Sequence, residues 1–257
     1  MFVRCQINYG DCDNLLASCS LKGRVHLSAH QTHNPEAELP RLRLHQLLNG
    51  KPDDAVAIVD WDGTKYTYVE LSQVAEDLSV VLTDHGVRAG DRVLIVAENS
   101  ALFASAIFAC SHLNAWAVLV NARQSQTEVR AVEQHSGART ILCTSDVSPN
   151  AKAHADALGA VHLADLRCGP IVATPVVETK TEPVTDDASQ VAALLYTTGT
   201  TSAPKGVMLT HGNLLFAAEN STNFNGVRSD DKVLAVLPGT HIYCLSSVFL
   251  TAMNAGA

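Results

Sequence analysis

The densest chemistry in the chain lies in one stretch, Tyr196-Thr197-Thr198-Gly199-Thr200-Thr201-Ser202-Ala203-Pro204-Lys205-Gly206-Val207. Hydroxyl groups, two glycines and a lysine sit there between two apolar runs, Val191 to Leu195 and Val207 to Leu209. Glycine admits dihedrals closed to other residues. Successive backbone N–H groups in such a loop form an anion-binding concavity. Lys205 adds a mobile point charge suited to phosphate oxygens. Hydroxyls, amides and one cation at this spacing point to a loop that grips a polyphosphate.

The pattern differs from the common P-loop, which needs Gly, four residues, then Gly-Lys-Ser/Thr. Here Pro204 precedes the lysine and Gly206 follows it. No Gly-x-Ser-x-Gly nucleophile motif is present. The histidines show no metal-ligand spacing, and His26, His30 and His33 cluster only loosely. None of the cysteines (Cys5, Cys12, Cys19, Cys110, Cys143, Cys168 and Cys244) stands in a Cys-x-x-Cys pair. Free thiols in a reducing cytoplasm are the expectation.

The elements that must position the loop read as strands alternating with helices. Ala55 to Val59 predicts a strand, Asp62-Gly63 a hairpin turn, and Thr67-x-x-Glu70 a capping box. The helix that box opens carries Leu71, Val74, Ala75, Leu78, Val81 and Leu82 on one face and stops at Gly86. Arg92 to Val96 reads as a buried strand. Ser125-x-x-Glu128 opens a second capped helix that ends at Gly137, before the strand Thr140 to Cys143. Ala151 to Leu158 predicts a helix and Val161 to Leu163 a short strand. Gly169 to Ser189 predicts a surface connection with room for edge strands, and Thr210 caps a helix from about Gly212 to Asn220. Lys232 to Leu237 reads as a strand. This alternation predicts an α/β fold with parallel-sheet layers covered by helices.

The stretch from Ser100 to Ala122 carries no charged residue and is long enough to span a bilayer. His112 and Asn114 interrupt it, and its spacing changes from helical to strand-like, which predicts a buried helix leading into a buried strand. The chain of 257 residues is 47% hydrophobic and 17% charged, with 18 Lys+Arg against 26 Asp+Glu. That acidic balance, with no basic run, argues against nucleic acid or an anionic membrane as partner. Residues 1–40 are irregular and read as a leader, leaving 41–257 as the organised part.

The order Thr-Thr-Gly-Thr-Thr-x-x-Pro-Lys-Gly-Val resembles the phosphate-binding signature of the adenylate-forming, or AMP-binding, superfamily, and of its acyl-CoA synthetases in particular. The family usually carries serine where Thr198 stands and glycine where Ser202 stands. Thr67 to Leu71, Gly86 to Val93, Glu98-Asn99-Ser100, Asn121-Ala122-Arg123 and Ser136 to Arg139 also look like acyl-CoA synthetase segments, in that family's order. Leu237-Pro238-Gly239-Thr240-His241-Ile242-Tyr243 looks like its next block, with Gly239 and Thr240 in place of bulkier residues.

The resemblance implies that Thr197, Thr198, Gly199, Thr200, Thr201 and Lys205 bind the phosphates of ATP. It also implies that His241 lies in the acyl-adenylate pocket, beside a reading of the same residue as a hydrogen-bonded helix start. It implies ATP with Mg2+, coenzyme A as co-substrate and a small-molecule carboxylic acid. The family's catalytic lysine, its magnesium-holding glutamate and its small C-terminal domain have no counterpart here, so no catalytic or metal-binding residue is assigned. The chain therefore reads as the N-terminal part of such a ligase, inactive alone, with an apolar end around Val248-Phe249-Leu250 that needs a partner, for instance a complementing C-terminal half. A non-catalytic nucleotide-binding or interaction remnant of the fold is the alternative.

Overall fold

The structure, a computed structural model, describes residues 42–197 and 204–257. The leader read at 1–40 lies outside them, as do Thr198 to Ser202 of the hydroxyl-rich loop. A short 3-10 helix, Leu44–Leu48, comes first and buries all three of its leucines. Strands β1 (Val56–Val59) and β2 (Lys65–Thr67) form a small antiparallel hairpin turned at Gly63, whose φ is 89°.

Helix α1 (Tyr68–His85) follows, and its capping box forms as the sequence requires. Glu70 N donates to Thr67 Oγ1 at 3.2 Å, and Thr67 N donates to Glu70 Oε2 at 2.9 Å. Gly86 ends it with φ 110°, in the left-handed region that glycine tolerates.

A seven-stranded sheet is the frame of the molecule. Its members are β3 (Arg92–Ala97), β4 (Trp116–Asn121), β5 (Thr140–Cys143), β6 (Val161–Leu166), β7 (Gly169–Ala173), β8 (Val191–Thr197) and β9 (Lys205–Thr210), in the order β6-β7-β5-β3-β4-β8-β9. The centre, β5-β3-β4-β8, is parallel; β7 and β9 run antiparallel to it on either side, and β6 pairs antiparallel with β7 at the edge. The sheet is thus mixed, because two-residue and loop-length connections at the edges can only make hairpins.

Both faces are covered. Val93, Ile95 and Ala97 pack into the larger core with α1 and α2 (Ala101–His112), while Leu94 and Val96 pack into the smaller one. The smaller core is closed by Val129 and Val132 of α3 (Gln126–Ser136) and by Ala151 and Ala155 of α4 (Pro149–Leu158). Period two along one strand therefore feeds two apolar layers. The membrane-like stretch resolves into α2 and β4, buried throughout except near their ends. Among the described residues no helix is long and apolar enough to cross a membrane.

Helix α5 (His211–Asn225) is capped by Thr210, whose Oγ1 accepts from Asn213 N at 3.0 Å. The chain then runs to α6 (Ile242–Cys244), a π-helical turn Leu245–Leu250 and α7 (Thr251–Ala255). Three expectations are corrected here. Lys232 to Leu237 forms no strand: the carbonyls of Ala235 and Leu237 accept from the Asn99 side chain at 3.2 and 2.8 Å, and no neighbouring strand offers a ladder. The segment read as apolar and bare is covered by the chain itself. Phe249, Leu250 and Met253 are buried in the larger core, and Tyr68 Oη donates to Ala257 O at 3.1 Å. The strand read at Val161 to Leu163 is longer and returns through Gly169–Ala173 as a hairpin.

Candidate functional site

Parallel strands end together, and their carboxyl ends form the crevice where open α/β sheets take ligands. Here β3 runs out at Glu98 and Asn99, β4 at Asn121, and β8 at Thr197. Most of the hydroxyl-rich stretch falls between β8 and β9 in the chain, and the two strands pair antiparallel. Tyr196 pairs with Gly206 and Thr197 with Lys205 across it. A Cβ on Gly206 would stand 2.9 Å from Leu194 Cδ1 and 3.2 Å from Tyr196 Cζ, so a side chain there would push these two aside. Lys205 is exposed at the first position of β9.

Beside this hairpin lies a cavity of about 420 Å³. Its walls are mostly apolar (Leu119, Val120, Leu195, Val207, Leu209 and Ile242 contribute), with Gln124, Thr240 and His241 as polar points. His241 is exposed and caps α6: its Nδ1 accepts from Tyr243 N at 3.3 Å. His241 is thus the hydrogen-bonded helix start of the sequence reading, and it also lines this cavity. A second cavity, about 280 Å³, adjoins the first and shares Asn121 and Pro238 with it. Trp61, Glu98 and Arg123 line that one, with Arg123 Nε donating to Glu98 Oε1 at 3.2 Å.

Of the residues singled out from sequence, the structure places Thr197 and Lys205 opposite each other at the end of the hairpin. Their strand neighbours Tyr196 and Val207 share the larger cavity with His241. Thr198, Gly199, Thr200 and Thr201 lie outside the described residues. Sequence reasoning passed over two groups. Gln124 Oε1 is buried and meets no donor among the described residues, an arrangement that suits a donor on a ligand. Tyr196 shares a 2.8 Å hydrogen bond with His135 Nδ1, and burial raises its phenol above the ordinary value. The signal for Gln124 was its place just after a buried parallel strand; for Tyr196 it was the position before the loop.

A family model described as AMP-binding enzyme matches residues 44–257. The chain belongs to that family. Curated relatives are CoA ligases: 4-coumarate–CoA ligase 3 of Arabidopsis thaliana is 29% identical over 239 residues, 87% of this chain and 42% of that protein. Feruloyl-CoA synthase of Amycolatopsis sp is 31% identical over 194 residues, 76% of this chain and 38% of that protein. Among solved structures, ATP-bound MatB from Rhodopseudomonas palustris superposes with a TM-score of 0.66 at 25% identity, over 84% of this chain and 44% of that one. The inhibitor-bound N-terminal domain of FACL13 from Mycobacterium tuberculosis shares the fold, with a TM-score of 0.65 at 24% identity over 84% of this chain and 56% of that one. The chain spans about two-fifths of the length of the curated relatives it matches. The helix-covered mixed sheet matches the N-terminal architecture of these adenylate-forming enzymes.

Proposed function

We propose that this chain supplies the ATP-gripping, N-terminal portion of a carboxylic acid–CoA ligase. One observation carries the reading: β8 and β9, which face each other at Thr197 and Lys205 on either side of the Thr/Gly/Lys run, border a mostly apolar cavity that His241 lines. In such a ligase a carboxylate oxygen attacks the α-phosphorus of ATP, pyrophosphate leaves, and the acyl-adenylate passes its acyl group to the thiol of coenzyme A with release of AMP. The chemistry needs negative charge absorbed on the β,γ-phosphates as the new bond forms. Thr197, Thr198, Gly199, Thr200, Thr201 and Lys205 would hold those oxygens. Apolar walls would hold the body of the acid, with Gln124 and His241 at its polar end.

Magnesium would arrive with the nucleotide, held through its phosphates. Among the described residues no three His, Cys, Asp or Glu side chains gather as a metal cage. The acid is an apolar one, aromatic or fatty. The chain works in a reducing cytoplasm, consistent with free thiols at Cys110, Cys143, Cys168 and Cys244. Alone it binds nucleotide without turnover; a complementing C-terminal half completes the catalyst.

Calorimetry with Mg-ATP tests the grip. Removing a charge-assisted contact with Lys205→Ala should weaken binding roughly 10- to 100-fold. No measurable heat from the unaltered chain, or equal affinity in the variant, would favour the non-catalytic remnant. Carboxylate-dependent exchange of pyrophosphate into ATP, with cinnamic and fatty acids as probes, should be silent for the chain alone. It should appear when the C-terminal half of a relative is added.

A further inference from the structure

We infer that Asn99 is a positioning residue: its side-chain amide clamps the loop 235–239 and so fixes where Thr240 and His241 stand in the larger cavity. The inference rests on the ligase reading for its consequence, though its geometry stands apart from it. Asn99 lies just past the carboxyl end of β3, before the Ser100 cap of α2. Nδ2 donates to Ala235 O at 3.2 Å and to Leu237 O at 2.8 Å, while Oδ1 accepts from Gly239 N at 2.6 Å. The amide orientation is fixed by chemistry, since two carbonyls can only accept and one N–H can only donate. All of this hydrogen bonding converges on one five-residue loop that no strand supports.

Gly239 is the other half of the device. It is buried, and a Cβ there would stand 2.5 Å from Phe103 Cε1 and 3.1 Å from Asn99 Oδ1. The loop backbone therefore rests against the Phe103 ring, at a distance only glycine permits. Pro238, directly between the clamped atoms, lines both cavities. Thr240, His241 and Ile242, the next residues along, line the larger one. Moving the loop moves that wall. An aspartate at 99 has the same shape yet no donors, and sets a carboxylate oxygen against two carbonyls. The role depends on the amide and not on bulk.

The test uses the 257-residue chain, isotope-labelled. In the unaltered chain the Gly239 amide should exchange slowly, although it lies in a loop. Asn99→Asp and Asn99→Ala should speed that exchange roughly tenfold or more, as expected for a lost hydrogen bond. Both should move the His241 ring resonances toward those of a free imidazole. Affinity for a cinnamoyl sulfamoyl-adenosine probe should fall by about the same factor. Gly239→Ala should behave alike, and Phe103→Leu added to it should restore the His241 signals by relieving the clash. Urea melts of every variant are the control that the core stays folded. Fast exchange at Gly239 in the unaltered chain overturns the clamp. So do His241 resonances and probe affinity that ignore Asn99→Asp. If the unaltered chain leaves the probe unbound, the ligase reading fails, and exchange with the imidazole signals still decides the clamp.

Discussion

Acidification should weaken this protein well before its carboxylates titrate, because one buried and two half-buried histidines lie together as neutral rings. His45, on the 3-10 helix, stacks on His112 at the end of α2 with ring centroids 3.9 Å apart and planes 16° from parallel. His45 Nδ1 also sits 3.0 Å from Ser111 Oγ. His211 is fully buried at the start of α5, and its Nδ1 accepts from Leu44 N at 3.2 Å. Burial, then repulsion from His112, pushes His45 from 6.5 down to about 4. Burial, then the Arg43 charge, pushes His211 from 6.5 to about 3. Burial lowers His112 too, partly offset by Glu76.

The folded state thus binds fewer protons than the unfolded chain as pH falls below 6.5, and stability falls with it. Between near pH 7 and near pH 5 the loss is about 2 kcal/mol for each of His45 and His211, about 4 kcal/mol together. A domain whose total stability is ~5–15 kcal/mol feels that strongly. Urea midpoints should drop by more than about 1 M over this interval. A doubly substituted chain, His45→Gln with His211→Gln, should lose most of the pH dependence while melting at a lower midpoint throughout. Equal pH dependence in the double variant, or a flat midpoint in the parent, would refute the reasoning.

Gly90→Ala should be among the most damaging single changes: φ is +81°, and the new Cβ would stand 2.1 Å from Glu182 O, so a loss of more than about 2 kcal/mol is expected in urea melts. Thr67→Ala removes the cap of α1 and should cost ~1 kcal/mol, read the same way, with Thr67→Ser recovering most of it. Cys110, whose thiol burial pushes up to about 12, should resist a maleimide in the folded protein and react once urea unfolds it, as peptide mapping would reveal. Comparable labelling of Cys110 in native and unfolded samples would contradict its burial.

Much of the fold was legible because local chemistry decides it. The Thr67 and Ser125 capping boxes and the left-handed stops at Gly86 and Gly137 set the bounds of α1 and α3 with no tertiary help. The charge-free run from Ser100 to Ala122 was separable into helix and strand because its apolar period changes near Asn114, the one described non-glycine residue with positive φ, at 52°. Strand pairing was less legible. The central strands β3, β4, β5 and β8 are parallel, as the alternation with helices demands, whereas β6–β7 and β8–β9 are hairpins whose direction depends on which edge is free. Lys232 to Leu237 keeps a strand's alternation, with Val233 and Ala235 half-buried and Leu234 and Val236 exposed, yet lacks a neighbour to pair with.

The site was legible in proportion to how local its signals are. The Thr/Gly/Lys run announces itself within a dozen residues; the groups that hold its surroundings do not, because each acts across a long sequence separation. Asn99 reaches 136 to 140 residues along the chain to its loop. Arg43 donates to Asn114 Oδ1 at 2.7 Å, Asp187 O at 2.7 Å and Thr185 O at 2.6 Å, tying the connection before β8 to the turn before β4. His154 on α4 contacts the carbonyls of Ala122 and Gln124 at 3.1 and 3.0 Å, and so holds the turn after β4 from which Gln124 enters the cavity. In every case a side chain satisfies backbone groups that no helix or strand reaches. Periodicity has nothing to say about such residues. An asparagine after a strand, an arginine before a short helix and a histidine within one look ordinary until the loops they serve have been placed. What the sequence leaves unmarked around this cavity is therefore the set of polar side chains that take the place of a ladder.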